Sequence, residues 1–330
     1  MNDTDDEKYM RRCLQLARCG AAGAPPNPMV GAVIVAGGRV IGEGFHVHCG
    51  EGHAEVNAIR SVKPQDRPLL AESTIYVSLE PCAHYGRTPP CAELIVRTGI
   101  ARCVVGCVDP FPKVKGRGID ILRNAGVEVK VGVLEKECRE LNRRFTTCQT
   151  LHRPYVTLKW ASSADGFLDA WRMSASEAPA RLSTDLSLVR VHHLRAMHQA
   201  IVVGHSTLRL DCPQLNVRHW AGNAPARFVL GRVGEDELPA GFQAYSDIPT
   251  LLDAVYSQGL QSLLVEGGGQ TLQSFIDAGI WDEAWEELSS SVLGSGVPVP
   301  RMPVGALRTV EQAFGVSITH WSNPHEEEEE

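Results

Sequence analysis

The segment Leu79-Glu80-Pro81-Cys82-Ala83-His84-Tyr85-Gly86-Arg87-Thr88-Pro89-Pro90-Cys91 decides how the first half of this chain folds. It leaves an apolar, β-branched run at 74–79 and enters a stretch at 91–98 with helical spacing, and a second apolar run follows at 102–108. Strand, loop, helix and strand in that order make a βαβ unit. Upstream, residues 53–62 have a helical pattern. Two apolar runs at 29–36 and 39–45 meet at Gly37-Gly38, a dipeptide that supplies the positive φ angles of a tight hairpin turn. Further out, Tyr9, Met10, Cys13, Leu14, Leu16 and Ala17 give a helix over 7–19 that Gly20 stops. Downstream, 119–124, 127–133 and 136–147 continue as helix, strand and helix until His152-Arg153-Pro154 interrupts the pattern. These elements predict a mixed sheet flanked by helices, with a domain boundary near Thr150.

Two thiols bracket the loop from Cys82 to Cys91, and His53 opens the upstream helix. One imidazole and two thiolates leave the fourth position of a tetrahedral zinc site open, the arrangement of catalytic rather than structural zinc. A helix N-terminus and a metal both favour thiolate over thiol. Glu55, two residues beyond His53, stands where a carboxylate can exchange protons with water at the open position without binding the metal itself. His53-Ala54-Glu55 followed by Pro81-Cys82 matches the H-x-E and P-C signature of zinc deaminases. Taken singly, these residues read as a surface histidine and buried filler thiols. Their combination, with a strand and a proline ahead of the first cysteine, points to metal chemistry. Eight residues separate the two cysteines, which departs from the shorter spacing of deaminases acting on free cytidine or DNA.

A length of 330 residues exceeds one average domain and implies two cores, and 43% hydrophobic with 22% charged residues is ordinary globular composition. The 32 basic against 39 acidic side chains leave a net charge of −7, which offers no footprint for a polynucleotide backbone. A small-molecule substrate is expected, and no nucleic acid. The acidic start, Met1-Asn2-Asp3-Thr4-Asp5-Asp6-Glu7, lacks the basic and apolar regions of a secretory leader. The most apolar stretch, 29–36, falls short of the roughly 18 residues of a membrane span. The expectation is a cytoplasmic, soluble homo-oligomer without membrane association. Its ten cysteines then stay reduced, and most of them, such as Cys103 and Cys107, are small core residues. The run from Glu326 to Glu330 reads as a solvated tail.

The second half alternates in the same way, with a strand at 155–161, a helix at 184–197, strands at 200–203 and 227–230 and a helix at 250–258. A strand at 262–266 then runs through Gly267-Gly268-Gly269 into a helix at 270–278. Strand, glycine loop and helix let backbone N–H groups approach an anion with the helix dipole assisting. A tight turn with no ligand would look the same.

On these motifs the chain resembles the bifunctional deaminase/reductase family of riboflavin biosynthesis. Pro26-Asn27-Pro28-Met29-Val30-Gly31, Gly52-His53-Ala54-Glu55, the 79–91 segment and Asp109-Pro110-Phe111-Pro112-Lys113-Val114-Lys115-Gly116-Arg117-Gly118 match its deaminase motifs almost letter for letter. The likeness covers nearly the whole chain. It implies an α/β fold in two parts, a cytidine-deaminase-like mixed-sheet domain at 1–150 and a dihydrofolate-reductase-like α/β domain at 151–330. It also implies Zn2+ on His53, Cys82 and Cys91, Glu55 as the catalytic residue and a phosphoribosylated diaminopyrimidinone as the first substrate. Asn27 would hold the ribose or ring edge, and His84, Arg87 and Lys113 would meet the phosphate. In the second domain the resemblance implies NADPH, with Gly267, Gly268, Gly269 and Thr271 at its phosphates, Ala161, Thr207 and Asp211 in the cofactor site, and Glu266 facing the substrate. Pro213 and Leu215 also fall on the pattern. By charge, Arg195 and Arg218 offer guanidinium forks suited to a ribose phosphate, and Lys159 with Asp211 could orient the opened sugar where hydride arrives.

The second half departs from the family more than the first. Pro179-Ala180-Arg181 replaces the usual Ser-x-Trp, Gly231 stands where an Asp is common, and the short stretch between Arg232 and Asp247 implies a missing strand. Three alternatives therefore compete with the two-activity reading. They are a deaminase with an inactive reductase-like domain, a nucleotide- or RNA-editing deaminase, and an assembly module in which zinc is only a staple. The open fourth ligand position argues against the staple, and the acidic charge balance argues against RNA.

Overall fold

Hydrophobic periodicity divides the chain between two main sheets. In a computed structural model, which describes residues 3–85, 89–111, 115–313 and 315–323, the chain separates into two compact units, Met1–His152 and Arg153–Glu330. Among the described residues no helix is long and apolar enough to cross a membrane.

The first unit runs α1 (Asp3–Arg18), β1 (Gly31–Ala36), β2 (Arg39–Phe45), α2 (Ala54–Ser61), β3 (Thr74–Leu79), α3 (Cys91–Thr98), β4 (Arg102–Cys107), α4 (Arg117–Asn124), β5 (Glu128–Val131), α5 (Glu135–Leu141) and α6 (Arg143–Leu151). Its sheet has the order β2-β1-β3-β4-β5. The β1–β2 and β1–β3 pairs are antiparallel, whereas β3–β4 and β4–β5 are parallel. Gly37 and Gly38 turn the hairpin with φ of 54° and 76°, in the left-handed region where glycine has no steric penalty. Strands β1 and β3 are buried on both faces because their residues alternate between two cores. Ala32, Ile34, Ile75, Val77 and Val105 pack with α2, α3 and α4, while Val33, Val35, Tyr76 and Val104 pack with Tyr9, Met10 and Cys13 of α1.

The helix expected at 136–147 is broken. α5 ends at Leu141 and α6 starts at Arg143, because Asn142 turns its side chain onto strand-entry backbone. Its Oδ1 accepts from Met29 N at 2.8 Å and its Nδ2 donates to Met29 O at 2.9 Å. These two long-range bonds hold Asn142 out of helical geometry, at φ −107° and ψ 18°.

The second unit runs β6 (Tyr155–Ser162), β7 (Phe167–Asp169), α7 (Asp185–Ala196), β8 (Ala200–Gly204), α8 (His205–Asp211), β9 (Ala226–Leu230), β10 (Phe242–Tyr245), α9 (Ile248–Ser257), β11 (Ser262–Val265), α10 (Gly269–Asp277), β12 (Glu283–Leu288), β13 (Val297–Pro298), β14 (Leu307–Ala313) and β15 (Val316–Ser322). Its eight-stranded sheet has the order β10-β9-β8-β11-β6-β12-β15-β14, and β7 pairs with β13 apart from it. Pairing is parallel from β10 through β12 and antiparallel from β12 to β14. The stretch expected to lack a strand carries β10, in register with β9. α7 begins with a reciprocal cap in which Thr184 and Ser187 each accept the other's backbone N–H. Arg87, Lys113 and the glutamate run at 326–330 lie outside the described residues.

Candidate active sites

In the first unit two helix starts meet the exit of a strand. His53 is the N-cap of α2 in extended backbone, Cys91 is the first residue of α3, and Cys82 lies three residues past β3. His53 Nδ1 stands 3.5 Å from Cys82 Sγ and 3.4 Å from Cys91 Sγ. The three donor atoms lie within 4.8 Å of one another, and among the described residues they are the one cluster of this type. Tetrahedral zinc, with bonds of roughly 2.1 Å to nitrogen and 2.3 Å to sulfur, sets nitrogen and sulfur about 3.6 Å apart. The donor set and its spacing fit that ion. Cys91 N–H donates to Cys82 Sγ at 3.3 Å, and this bond, with the Cys91 thiol and His53, favours thiolate at Cys82.

Glu55 sits in the first turn of α2, with burial pushing its carboxyl up to about 7. It interacts electrostatically with His53 and Cys82 and faces Cys91. Asn27 does not stand alone, since its Nδ2 donates to His46 Nε2 at 3.0 Å. The tautomer follows from the other ring nitrogen, whose Nδ1–H donates to Gly52 O at 3.2 Å. The His46 ring lies edge-on to His53 with centroids 5.3 Å apart, and burial holds its pKa down. Asn27, His46 and Gly52 thus brace the loop that delivers His53, and Asn57 bonds to Gly52 O and Phe45 O from the α2 side. His84 is exposed and packs edge-on to Phe111 at 6.2 Å.

Two residues here escaped the sequence reading. His46 had no motif to mark it. Glu80 lay inside the quoted segment, yet nothing in its spacing reveals a buried carboxylate. One of its oxygens accepts from Gly118 N at 2.9 Å and Ile119 N at 3.4 Å, and the other from Gly116 N at 2.9 Å and Asp109 N at 3.3 Å.

In the second unit, Glu266 follows β11 and is paired with Arg195 of α7. Nε donates to Oε1 at 3.0 Å and Nη2 to Oε2 at 2.6 Å, with both side chains largely buried. Arg195 and Lys159 hold the Glu266 carboxyl below its usual range despite burial. The glycine loop at 267–269 follows directly. Gly268 N–H donates to Thr207 Oγ1 at 3.1 Å, and Thr271 approaches so closely that a β-carbon on Gly267 would stand 2.6 Å from its Cβ. Only glycine fits there. Arg218 is exposed and bonds to Gln214 and Asn216, with its backbone N–H on His192 Nδ1. Ala161 is half-buried on β6. Asp211, at the end of α8, is bound by Arg172, a residue the sequence reading passed over.

Residues 3–107 match the family model of the cytidine and deoxycytidylate deaminase zinc-binding region, and residues 154–311 match the RibD C-terminal domain. The chain is 35% identical to riboflavin biosynthesis protein RibD of Aquifex aeolicus, over 94% of this chain and 93% of that protein. It is 42% identical to the RibD of Actinobacillus pleuropneumoniae, over 96% and 92%. The crystal structure of the diaminohydroxyphosphoribosylaminopyrimidine deaminase/5-amino-6-(5-phosphoribosylamino)uracil reductase of Thermotoga maritima superposes with a TM-score of 0.87 at 32% identity, covering 97% of this chain and 99% of that one. The order of a deaminase zinc-binding unit and a RibD C-terminal unit, with both matched over most of their length, means that the chain belongs to the RibD family of bifunctional deaminase/reductase enzymes of riboflavin biosynthesis.

Proposed function

We propose that the first unit hydrolyses the exocyclic amine of the phosphoribosylated diaminopyrimidinone of the riboflavin pathway, with zinc on His53, Cys82 and Cys91. The second unit then reduces the ribosyl group of the product to ribityl with NADPH. The observation that carries the reading is the convergence of one imidazole nitrogen and two thiols on a single point beside a buried carboxyl. A zinc ion held by His53, Cys82 and Cys91 would act as a Lewis acid and lower the pKa of water from 15.7 to about 7. Glu55 takes the proton that the attacking water gives up and delivers it to the departing amine, so that water enters and ammonia leaves. Asn27, held by His46, would contact the substrate's ribose or ring edge. Burial of the site keeps bulk water from competing for the carboxyl.

In the second unit the Gly268 N–H is held by Thr207, and the remaining backbone N–H groups of the glycine loop would meet the cofactor phosphates beside Thr207 and Thr271. Arg195 and Glu266 hold each other in one orientation, which leaves the buried pair pre-organised beside Lys159 for the opened sugar. Incubating the full chain with the pyrimidine substrate alone, and then with NADPH, reports ammonia release and cofactor oxidation separately. Glu55→Gln is expected to keep zinc and lose ammonia release, yet to oxidise NADPH when given the deaminated intermediate. Substantial ammonia release by that variant would remove Glu55 from its role. No NADPH oxidation by the wild type would leave a deaminase with an inactive reductase-like unit.

A further inference from the structure

The loop between β7 and α7 buries the wrong residue by hydrophobic reasoning. Trp171 is 66% exposed and Met173 is 88% exposed, while the Arg172 side chain between them is 6% exposed. A guanidinium goes inside only where partners compensate its lost hydration. Arg172 Nε donates to Asp169 Oδ2 at 2.7 Å, its Nη1 donates to Glu177 O at 3.3 Å, and its Nη2 donates to the Asp211 carboxylate. The loop is braced around this point. Asp169 Oδ1 accepts from Ala170 N at 2.9 Å and Ala180 N at 2.7 Å, and Glu177 Oε1 accepts from Met173 N and Ser174 N.

The two carboxylates end two different elements, each of which touches the glycine loop. Asp169 ends β7, which pairs with β13, and a β-carbon on Gly269 would stand 2.9 Å from Pro298 O and 3.5 Å from Leu168 Cδ1 of that pair. Asp211 ends α8, whose Thr207 accepts the Gly268 N–H. The glycine loop therefore touches one wall at Gly269 and the other at Gly268, and Arg172 ties the two walls together. It also balances charge, since without it two carboxylates would face each other next to a cradle built for an anion.

We propose that Arg172 is a positioning residue of the reductase half: acting through Asp169 and Asp211, it holds the walls of the glycine-loop cradle at the spacing that binds the dinucleotide. This rests on the NADPH reading above. Arg172 shares the β7–α7 loop with Pro179-Ala180-Arg181, where the family's Ser-x-Trp is absent, and its partner Asp169 accepts the Ala180 N–H, so this bridge gives that altered loop a task of its own. It sets affinity for NADPH and leaves the hydride step intact once the cradle is filled.

The test is a fluorescence titration of NADPH against the full chain without substrate, for wild type, Arg172→Ala and Arg172→Lys. It is paired with kcat at saturating NADPH on the deaminated intermediate. Arg172→Ala is expected to raise Kd on the order of 10- to 100-fold. Arg172→Lys keeps the charge but loses the fork, so it should fall between. kcat at saturation should stay within about twofold of wild type. An unchanged Kd in Arg172→Ala overturns the proposal, as does a fall in kcat at saturation as large as the loss of affinity. If Arg172→Ala does not fold, as judged by circular dichroism, Arg172→Lys decides alone, and a wild-type Kd overturns the proposal. Failure of the wild type to bind NADPH would instead overturn the cofactor reading on which the proposal stands.

Discussion

Glu80 is the residue at which one atom swap should do the most damage to the first unit. Each carboxylate oxygen accepts two backbone N–H groups from the 109–119 segment, at 2.9 to 3.4 Å, and the side chain is buried. Glu80→Gln keeps the shape but turns one acceptor into an N–H2 group, so two donors face a donor. Each buried N–H left without an acceptor costs about 1–3 kcal/mol, and two cost roughly 2–6 kcal/mol. That is a large share of a total stability of about 5–15 kcal/mol. With an m-value of about 2 kcal/mol per M, the urea midpoint of the first unit should drop by roughly 1–3 M. All six tryptophans lie past residue 153, so their emission follows the second unit and supplies an internal control, while circular dichroism follows both. The expected result is an early loss of ellipticity with the tryptophan transition unmoved. The KM for the deaminase substrate should rise as well, because the released segment carries the candidate phosphate ligand Lys113. A midpoint within about 0.3 M of wild type would show that the four bonds contribute nothing net, and the reasoning would fall.

Three further outcomes follow from the same structure. Cys82→Ala should purify without zinc and release no ammonia, and full zinc content by elemental analysis would refute the ligand set. Asp6 is fully buried and accepts from Arg102, Lys130 and Tyr76, which hold its carboxyl far below the usual range. A folded pKa below the unfolded value of about 3.9 means that this stabilisation is present above that pH and lost as pH falls through the folded value. Asp6→Asn should therefore cost about 3–5 kcal/mol near neutral pH and flatten the acid limb of the stability profile, and an unchanged acid limb in urea titrations would refute it. Glu266→Gln should leave Arg195 half-paired and lower kcat/KM of the reductase on the order of 100-fold without changing zinc content, to be checked by NADPH oxidation on the deaminated intermediate.

The sequence by itself determined the first unit's strand, loop and helix order, the hairpin at Gly37-Gly38 and the glycine loop at 267–269. Those features depend on neighbours a few residues apart, such as periodicity, turn chemistry and ligand spacing. The candidate metal donors were legible because their chemistry is rare in combination. Tertiary structure alone decided the groups whose meaning depends on a distant partner. Asn142 breaks a helix because Met29 lies beside it, and His46 is fixed beside His53 because Asn27 and Gly52 claim its two nitrogens. β12 shows the limit most clearly. Glu283, Glu286 and Glu287 make Glu283–Leu288 look unlike a central strand, yet each acid finds a partner from another element. Thr157 and His320 bond to Glu283, Trp160 and Ser162 to Glu286, and Ser187 to Glu287. Burial of a carboxylate is unfavourable until those partners are assembled, so no local pattern in the chain announces it.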